Sequence, residues 1–201
     1  MQARLESLQD GLAPLDRTQL DRLHTQAAHL ARLVEDVRTL SLADAGELSV
    51  RPGPVEVGPL LASVAEQYAP LLQARGQTLR LHLAPDLGTA HWDAARITQI
   101  LGNLLDNAIK ASPEGGWVDL GATRDAGVLT LSVADSGAGL NDEALAHAFD
   151  RFYKSDMGGA AGSGLGLAIV RTLVELHGGS VRGGHHQEGG AVFTVVLPAG
   201  G

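Results

Sequence analysis

Residues 97–110 read Ile-Thr-Gln-Ile-Leu-Gly-Asn-Leu-Leu-Asp-Asn-Ala-Ile-Lys, and the spacing within this stretch decides the fold. Ile97, Ile100, Leu101, Leu104, Leu105 and Ala108 recur at three and four residues, which places them on one face of a helix. Asp93 stands where an N-cap belongs, so the helix is expected to run from there to about Ala111. Gln99, Asn103 and Asn107 are each four apart and stack along a second stripe, with Lys110 three residues further on. Amides in a row are poor helix formers and poor core residues. They suit a solvated polar stripe, or they suit a hard cation such as Mg²⁺, which takes oxygen ligands and keeps few of them from protein.

Downstream, two glycine-bearing clusters flank a Gly/Ala-rich stretch. Asp135-Ser-Gly137-Ala-Gly139 follows an apolar strand, Val128 to Ala134. A carboxylate at a strand end with two glycines admits a flat ligand close to the backbone, or simply makes a tight turn. Gly162-Ser-Gly164-Leu165-Gly166-Leu167 opens a helix running to Leu176. Glycine-rich backbone at a helix start offers free N–H groups and a positive dipole end to phosphate, or serves as a linker. No Gly-Lys-Ser/Thr follows, so this is no P-loop, and no strand precedes it as a dinucleotide fingerprint requires.

Working outward, further elements are legible. Residues 57–75 read as a helix stopped at Gly76, and 78–84 alternate as a strand. Val118 to Thr123 and Val128 to Ala134 form a hairpin around Ala126-Gly127, and a short helix lies near 142–149. A last hairpin joins 180–184 to 191–197. Helices and strands mix in one α+β pair of layers. Toward the N-terminus, Leu20, Leu23, Ala27, Leu30, Val34 and Val37 alternate gaps of three and four, the spacing of a coiled-coil seam. Residues 1–45 are expected to form the tail of one helix, a turn at Gly11 to Pro14, and a long second helix ended by Gly46. Such a seam calls for a partner helix or for packing on its own domain.

Composition bounds the function. The 201 residues are 44 % hydrophobic and 19 % charged, with 3 % aromatic, so aliphatic packing must supply the core. The net charge of −8 argues against a nucleic-acid binder, which needs a basic face, and against an anionic membrane surface. The absence of cysteine excludes disulfides, thiolate catalysis and cysteine zinc sites. No apolar run approaches the roughly 20 residues needed to span a bilayer. Met1 to Asp10 lacks the apolar block of a signal peptide, so the fragment as given is expected to be soluble; a cytoplasmic setting, with or without a membrane anchor upstream, is compatible with this.

Taken in order, these clusters resemble the catalytic ATP-binding domain of two-component sensor histidine kinases, within the GHKL ATPase superfamily. Asn103-Leu-Leu-Asp-Asn107-Ala-Ile-Lys110 resembles its N box and Asp135-Ser-Gly137-Ala-Gly139 its G1 box. Phe149-Asp-Arg151-Phe152-Tyr153-Lys154 resembles its F box, and Gly162-Ser-Gly164-Leu-Gly166-Leu its G2 box. The resemblance covers residues 47–198. It implies a two-layer α/β sandwich, a mixed sheet backed by helices, over 46–201, with an ATP lid at about 140–163. It also implies roles. Asn107 ligates Mg²⁺ with Asn103 beside it, and Lys110 contacts phosphate. Asp135 accepts from the adenine amino group, while Gly137 and Gly139 line the adenine pocket. Arg151 and Lys154, with Tyr153 between them, face phosphate from the lid side. Gly162, Gly164, Leu165, Gly166 and Leu167 hold phosphates at the helix start.

The pattern departs from the family in two places. Residues 16–45 resemble the second helix of the dimerisation and phosphotransfer domain, yet no segment resembles the H box that carries the acceptor histidine. His24 and His29 do not match it. The donor half of a kinase is therefore expected here with its acceptor elsewhere, together with a response regulator as later partner and a homodimer in the intact kinase. Losing the intrachain mate of the seam is expected to weaken dimerisation. The second departure is Ala191, where a Ser or Thr often follows the last glycine, leaving one adenine-side hydrogen bond missing or supplied by water. Two rival readings accompany this one. A catalytically silent nucleotide-binding fragment is one; an anti-sigma-type serine kinase is the other, disfavoured by the helical 16–45 segment.

One residue separates transfer from hydrolysis. In gyrase-type members a glutamate at the first N-box asparagine position activates water, and Asn103 cannot act as a base. Slow ATP hydrolysis is expected, and Asn103→Ala should change it measurably in a phosphate-release assay. Equal rates in the two proteins would empty the argument.

Overall fold

The computed structural model describes residues 17–154 and 163–200. The central element is the helix expected from the opening stretch, here α3 (Ala94–Ala111). Asp93 caps it by accepting from the Arg96 backbone N–H at 3.2 Å, which satisfies one of the unpaired donors of the first turn. Its apolar stripe, Ile97, Ile100, Leu101, Leu104, Leu105, Ala108 and Ile109, is buried throughout. Its C-terminus is tied down by Gln77, whose amide nitrogen donates to the Ile109 and Ser112 carbonyls at 3.0 and 2.8 Å.

Five strands receive that stripe. In chain order they are β2 (Thr78–Leu83), β4 (Trp117–Asp125), β5 (Val128–Asp135), β6 (Ser180–His185) and β7 (Ala191–Pro198). Across the sheet they run β2-β4-β5-β7-β6. The β4–β5, β5–β7 and β6–β7 pairs are antiparallel. Alternation along β5 and β7 buries Leu129, Leu131, Val133, Phe193, Val195 and Leu197 and leaves Thr130, Ser132 and Thr194 on the opposite face. Helices α2 (Val57–Ala74), α3 and α5 (Gly166–Leu176) supply the second layer, with α3 packed against both other helices and against β5. This is the mixed sheet backed by helices that the resemblance implied, and α4 (Asp142–His147) is the short helix expected near 142–149.

Two features were not visible in the sequence. β2 pairs with β4 in parallel, Thr78 opposite Trp117 through Leu83 opposite Ala122. A parallel pair needs a crossover, and residues 84–116 provide it through α3. The second feature is β3 (Thr89–Trp92), which pairs with β1 (Gly53–Glu56) as a separate two-stranded sheet. Its four residues are too short to carry a period, and its partner lies more than thirty residues upstream. The Trp92 indole N–H donates to the Pro198 carbonyl at 2.8 Å, fastening this small sheet to the end of β7.

The N-terminal helix α1 spans Arg17–Asp44, with Gly46 just beyond it at φ 69°. The expected helix tail before it lies outside the described residues. Compact units divide between Arg38 and Thr39. Within the first unit, Leu20, Leu30, Val34 and Val37 of the seam are exposed in the single chain. Within the second, Leu40 is buried, and Leu42 and Ala43 pack on the main core. No described helix is long and apolar enough to cross a membrane.

Because Leu105 is fully buried on the central helix, Leu105→Ala should remove about 2–5 kcal/mol of folding stability. Chemical denaturation checks this: a lower midpoint at an unchanged slope is expected.

Candidate functional site: where the central helix meets the glycine-led helix

The polar edge of α3 looks toward the start of α5. Asn103 is half-buried, and its side chain lies against Gly166: a Cβ built on Gly166 would stand 3.6 Å from the Asn103 Oδ1 atom. Its amide nitrogen Nδ2 is buried and finds no hydrogen-bond partner among the described residues. A buried orphan donor costs about 1–3 kcal/mol, and such groups collect where a ligand completes them. Asn107, one turn on, is also half-buried, and Lys110 is exposed in the last turn. Gln99 is not shared with this pair, since its carbonyl accepts from the Arg96 guanidinium at 2.9 Å.

Asp135 ends β5 and is 3 % exposed. Its Oδ1 accepts from the Gly137 N–H at 2.9 Å and from the Ala191 N–H at 3.3 Å. Burial raises its pKa above the usual carboxylate value, opposed by those two N–H groups and by His186. Gly137 sits where a side chain would strike the Ala111 carbonyl at the end of α3. Gly190 at φ 85° is more constrained still, because a Cβ there would overlap the Asp135 carbonyl oxygen. The turn 186–190 is thus pressed onto the carboxylate, and Gly139 lies against it at the Gly190 carbonyl.

Ala191 therefore contributes through its backbone, although its side chain lacks the hydroxyl that the family often has there. Sequence reasoning missed this N–H and Gly190; the Gly189-Gly190 pair, a turn signal before the last strand, was the available clue. It missed two serines as well. Ser112 Oγ donates to the Trp117 carbonyl at 2.9 Å, and Ser136 Oγ accepts from the Trp117 N–H at 2.8 Å, lacing the end of α3 to the turn after Asp135.

The glycine-led helix start is built as expected in its described part. Gly164 adopts φ 72° and packs so tightly on Phe152 that a Cβ would stand 2.7 Å from its carbonyl carbon. The Phe152 N–H donates to the Gly164 carbonyl at 2.9 Å. Leu165 is buried, anchoring the turn in the core, and Leu167 is half-buried. Gly162 lies outside the described residues.

The F-box residues divide. Tyr153 is half-buried beside the His147 ring, centroids 5.7 Å apart, and Lys154 is exposed. Arg151 is engaged elsewhere: its guanidinium donates to both carboxylate oxygens of Asp44, at 2.6 and 2.5 Å. Nothing in the sequence pointed to Asp44 as its partner, since 107 positions separate them.

Two amides, a buried carboxylate and a glycine-led helix start thus belong to neighbouring elements of one domain. Residues 92–201 match the family of histidine kinase-, DNA gyrase B- and HSP90-like ATPases. The chain is 33 % identical over 201 residues to the signal transduction histidine-protein kinase BaeS of Escherichia coli, covering 98 % of this chain and 43 % of that one. Its fold matches the histidine kinase AdeS of Acinetobacter baumannii with a TM-score of 0.81 at 26 % identity, covering 100 % of this chain and 93 % of that one. It also matches full-length ShkA in complex with AMPPNP with a TM-score of 0.79 at 33 % identity, covering 92 % of this chain and 39 % of that one.

The chain belongs to this ATPase family, and its fold is that of the ATP-binding catalytic domain of sensor histidine kinases. It spans about a quarter to a half of the length of the curated relatives it matches, from 24 % to 49 % among the first three.

Asp135 supplies a test with opposite signs for stability and binding. A carboxyl whose pKa is raised by folding costs the fold nothing below its unfolded value, and costs progressively more as pH climbs through the raised one. Asp135→Asn keeps an oxygen for both N–H donors and removes the buried charge. The nucleotide-free protein should then melt at a higher temperature than wild type at pH 7, with the gap closing toward pH 4. ATP affinity should fall about tenfold or more, the loss of a charge-assisted hydrogen bond. Melting curves and calorimetry check the two arms.

Proposed function

We propose that this chain binds Mg-ATP and transfers the γ-phosphoryl group to a histidine on a separate segment, as the donor part of a sensor histidine kinase. The observation that carries the reading is Asn103, whose Oδ1 lies nearest the first residue of α5 and whose buried Nδ2 has no hydrogen-bond partner among the described residues. A nucleotide phosphate, or with the amide turned over a cation, completes that group. The donor set suits Mg²⁺: neutral amide oxygens on successive turns, with room left for phosphate and water ligands. Asn107 and Asn103 would hold the ion, which when bound would neutralise developing phosphate charge.

The remaining residues fall into matching roles. Asp135 takes the adenine amino group, with Gly137 and Gly139 flanking the base. Gly162, Gly164, Leu165, Gly166 and Leu167 present the helix start to phosphate, and Lys110, Arg151 and Lys154 add positive charge, with Tyr153 beside them. An imidazole nitrogen of the incoming histidine forms the bond to γ-phosphorus, the bond to the β–γ bridging oxygen breaks, and ADP leaves. The protein supplies placement and charge rather than covalent chemistry.

BaeS, named as a histidine-protein kinase, and ShkA, solved with AMPPNP, support this reading. In the intact protein, further transfer to a response regulator, dimerisation through α1 and a cytoplasmic setting belong to the same proposal.

Two measurements test it. Calorimetric titration with Mg-ATP should give saturable heat, and Asn107→Ala, which removes the oxygen ligand, should remove most of its dependence on Mg²⁺. Incubation with labelled ATP and a separate helix pair bearing an H box should yield acid-labile, base-stable label on the helices. Binding without label would leave a silent nucleotide-binding fragment; no binding heat would defeat the proposal outright.

A further inference from the structure

Arg151 stands beside the glycine-led turn, and its guanidinium is bound to Asp44. Its neighbour Phe152 is hydrogen-bonded to Gly164, two residues before α5 begins, so the Arg151 backbone is fixed next to the glycine-led turn. Phe152 itself holds φ 63°, a left-handed conformation that survives only where the surroundings enforce it. Movement at this point therefore falls to the Arg151 side chain rather than to the chain carrying it. That side chain makes a two-pronged contact with Asp44, the last residue of α1.

Asp44 is an awkward place for a carboxylate. It sits at the negative end of the α1 dipole, and the last turn of that helix contains no basic residue. The Arg151 guanidinium supplies the missing cation and holds the Asp44 carboxyl below its ordinary pKa. Both side chains remain about half exposed, at 44 % and 57 %. An exposed pair of this kind is weak and exchangeable. A guanidinium fork fits carboxylate and phosphate oxygens alike.

We propose that Asp44 is a positioning residue that occupies Arg151 in place of a nucleotide phosphate, so that Mg-ATP and the end of α1 compete for one guanidinium. The inference rests on the reading of Arg151 as a phosphate contact made under the proposed function. It adds that the contact must be won from Asp44, and that α1 thereby sets the nucleotide affinity of the catalytic domain. Asp44→Asn releases Arg151 without cutting into the core, since Asp44 is exposed.

The test is a binding cycle on the full 201-residue chain, read by calorimetry with Mg-ATP and, separately, with adenosine. Asp44→Asn should tighten Mg-ATP by about two- to fivefold, the range an exposed ion pair supports, and leave adenosine unchanged. Asp44→Glu, which keeps the carboxylate, should stay near wild type. Arg151→Ala should weaken Mg-ATP, and adding Asp44→Asn to it should bring no gain. A general change in fold or stability would move adenosine as well, and that outcome counts against the proposal.

Unchanged or weaker Mg-ATP binding by Asp44→Asn, with Arg151→Ala still weakened, overturns the competition while leaving Arg151 a ligand. Unchanged binding by Arg151→Ala overturns the premise while leaving the ATP site intact. Failure of the wild type to bind Mg-ATP removes the functional reading, and this inference with it.

Discussion

Helix α3 has to satisfy two demands with one set of eighteen residues. Its apolar stripe must be covered completely, and the sheet and the neighbouring helices do this, leaving Ile97, Ile100, Leu101 and Leu105 with no exposed surface. Burial of that stripe is worth far more than any polar contact in the domain, so the rotation of the helix about its own axis is fixed by packing. Asn103 and Asn107 inherit their direction from that rotation. An amide that would be expensive in a core is instead delivered to the edge where α5 begins, and the cost of a nitrogen without a partner among the described residues is carried by the rest of the helix.

The same economy governs Asp135. A carboxylate at 3 % exposure is held by N–H groups from two separated places in the chain, Gly137 directly after it and Ala191 on the adjoining strand. Neither donor is a side chain, so their geometry is set by strand pairing and by the glycine at 190. The pair stabilises the charged form only in part, since the pKa remains raised. A carboxyl whose pKa is raised by folding costs the fold stability once the pH stands above its ordinary value.

How much of this was legible depended on range. The stripe on α3, its Asp93 cap and the hairpin 117–135 are written in local periods, and the structure has them where the spacing placed them. The family motifs likewise brought Asn103, Asp135 and Gly164 to neighbouring elements of one domain. What escaped was carried by partners distant in sequence. β3 takes its identity from β1, the Ala191 N–H from a residue 56 positions away, and the occupant of Arg151 from a carboxylate 107 positions away. A lone arginine in a motif reads as a phosphate contact, because nothing within its own helix or turn reveals which anion it meets first.

The parallel pairing of β2 with β4 has an implication for how the domain assembles. Two neighbouring strands that point the same way can be joined only by a return path across a face of the sheet, and here that path is α3 itself. The edge strand and the helix bearing the amides lie on that one connection, so pairing β2 with β4 closes a loop that contains α3. Closure of a long loop ahead of its rewarding contacts is the slow step in such topologies. The amide pair and the edge strand are therefore tied to one connection, so pairing β2 with β4 brings the segment that forms α3 to a face of the sheet.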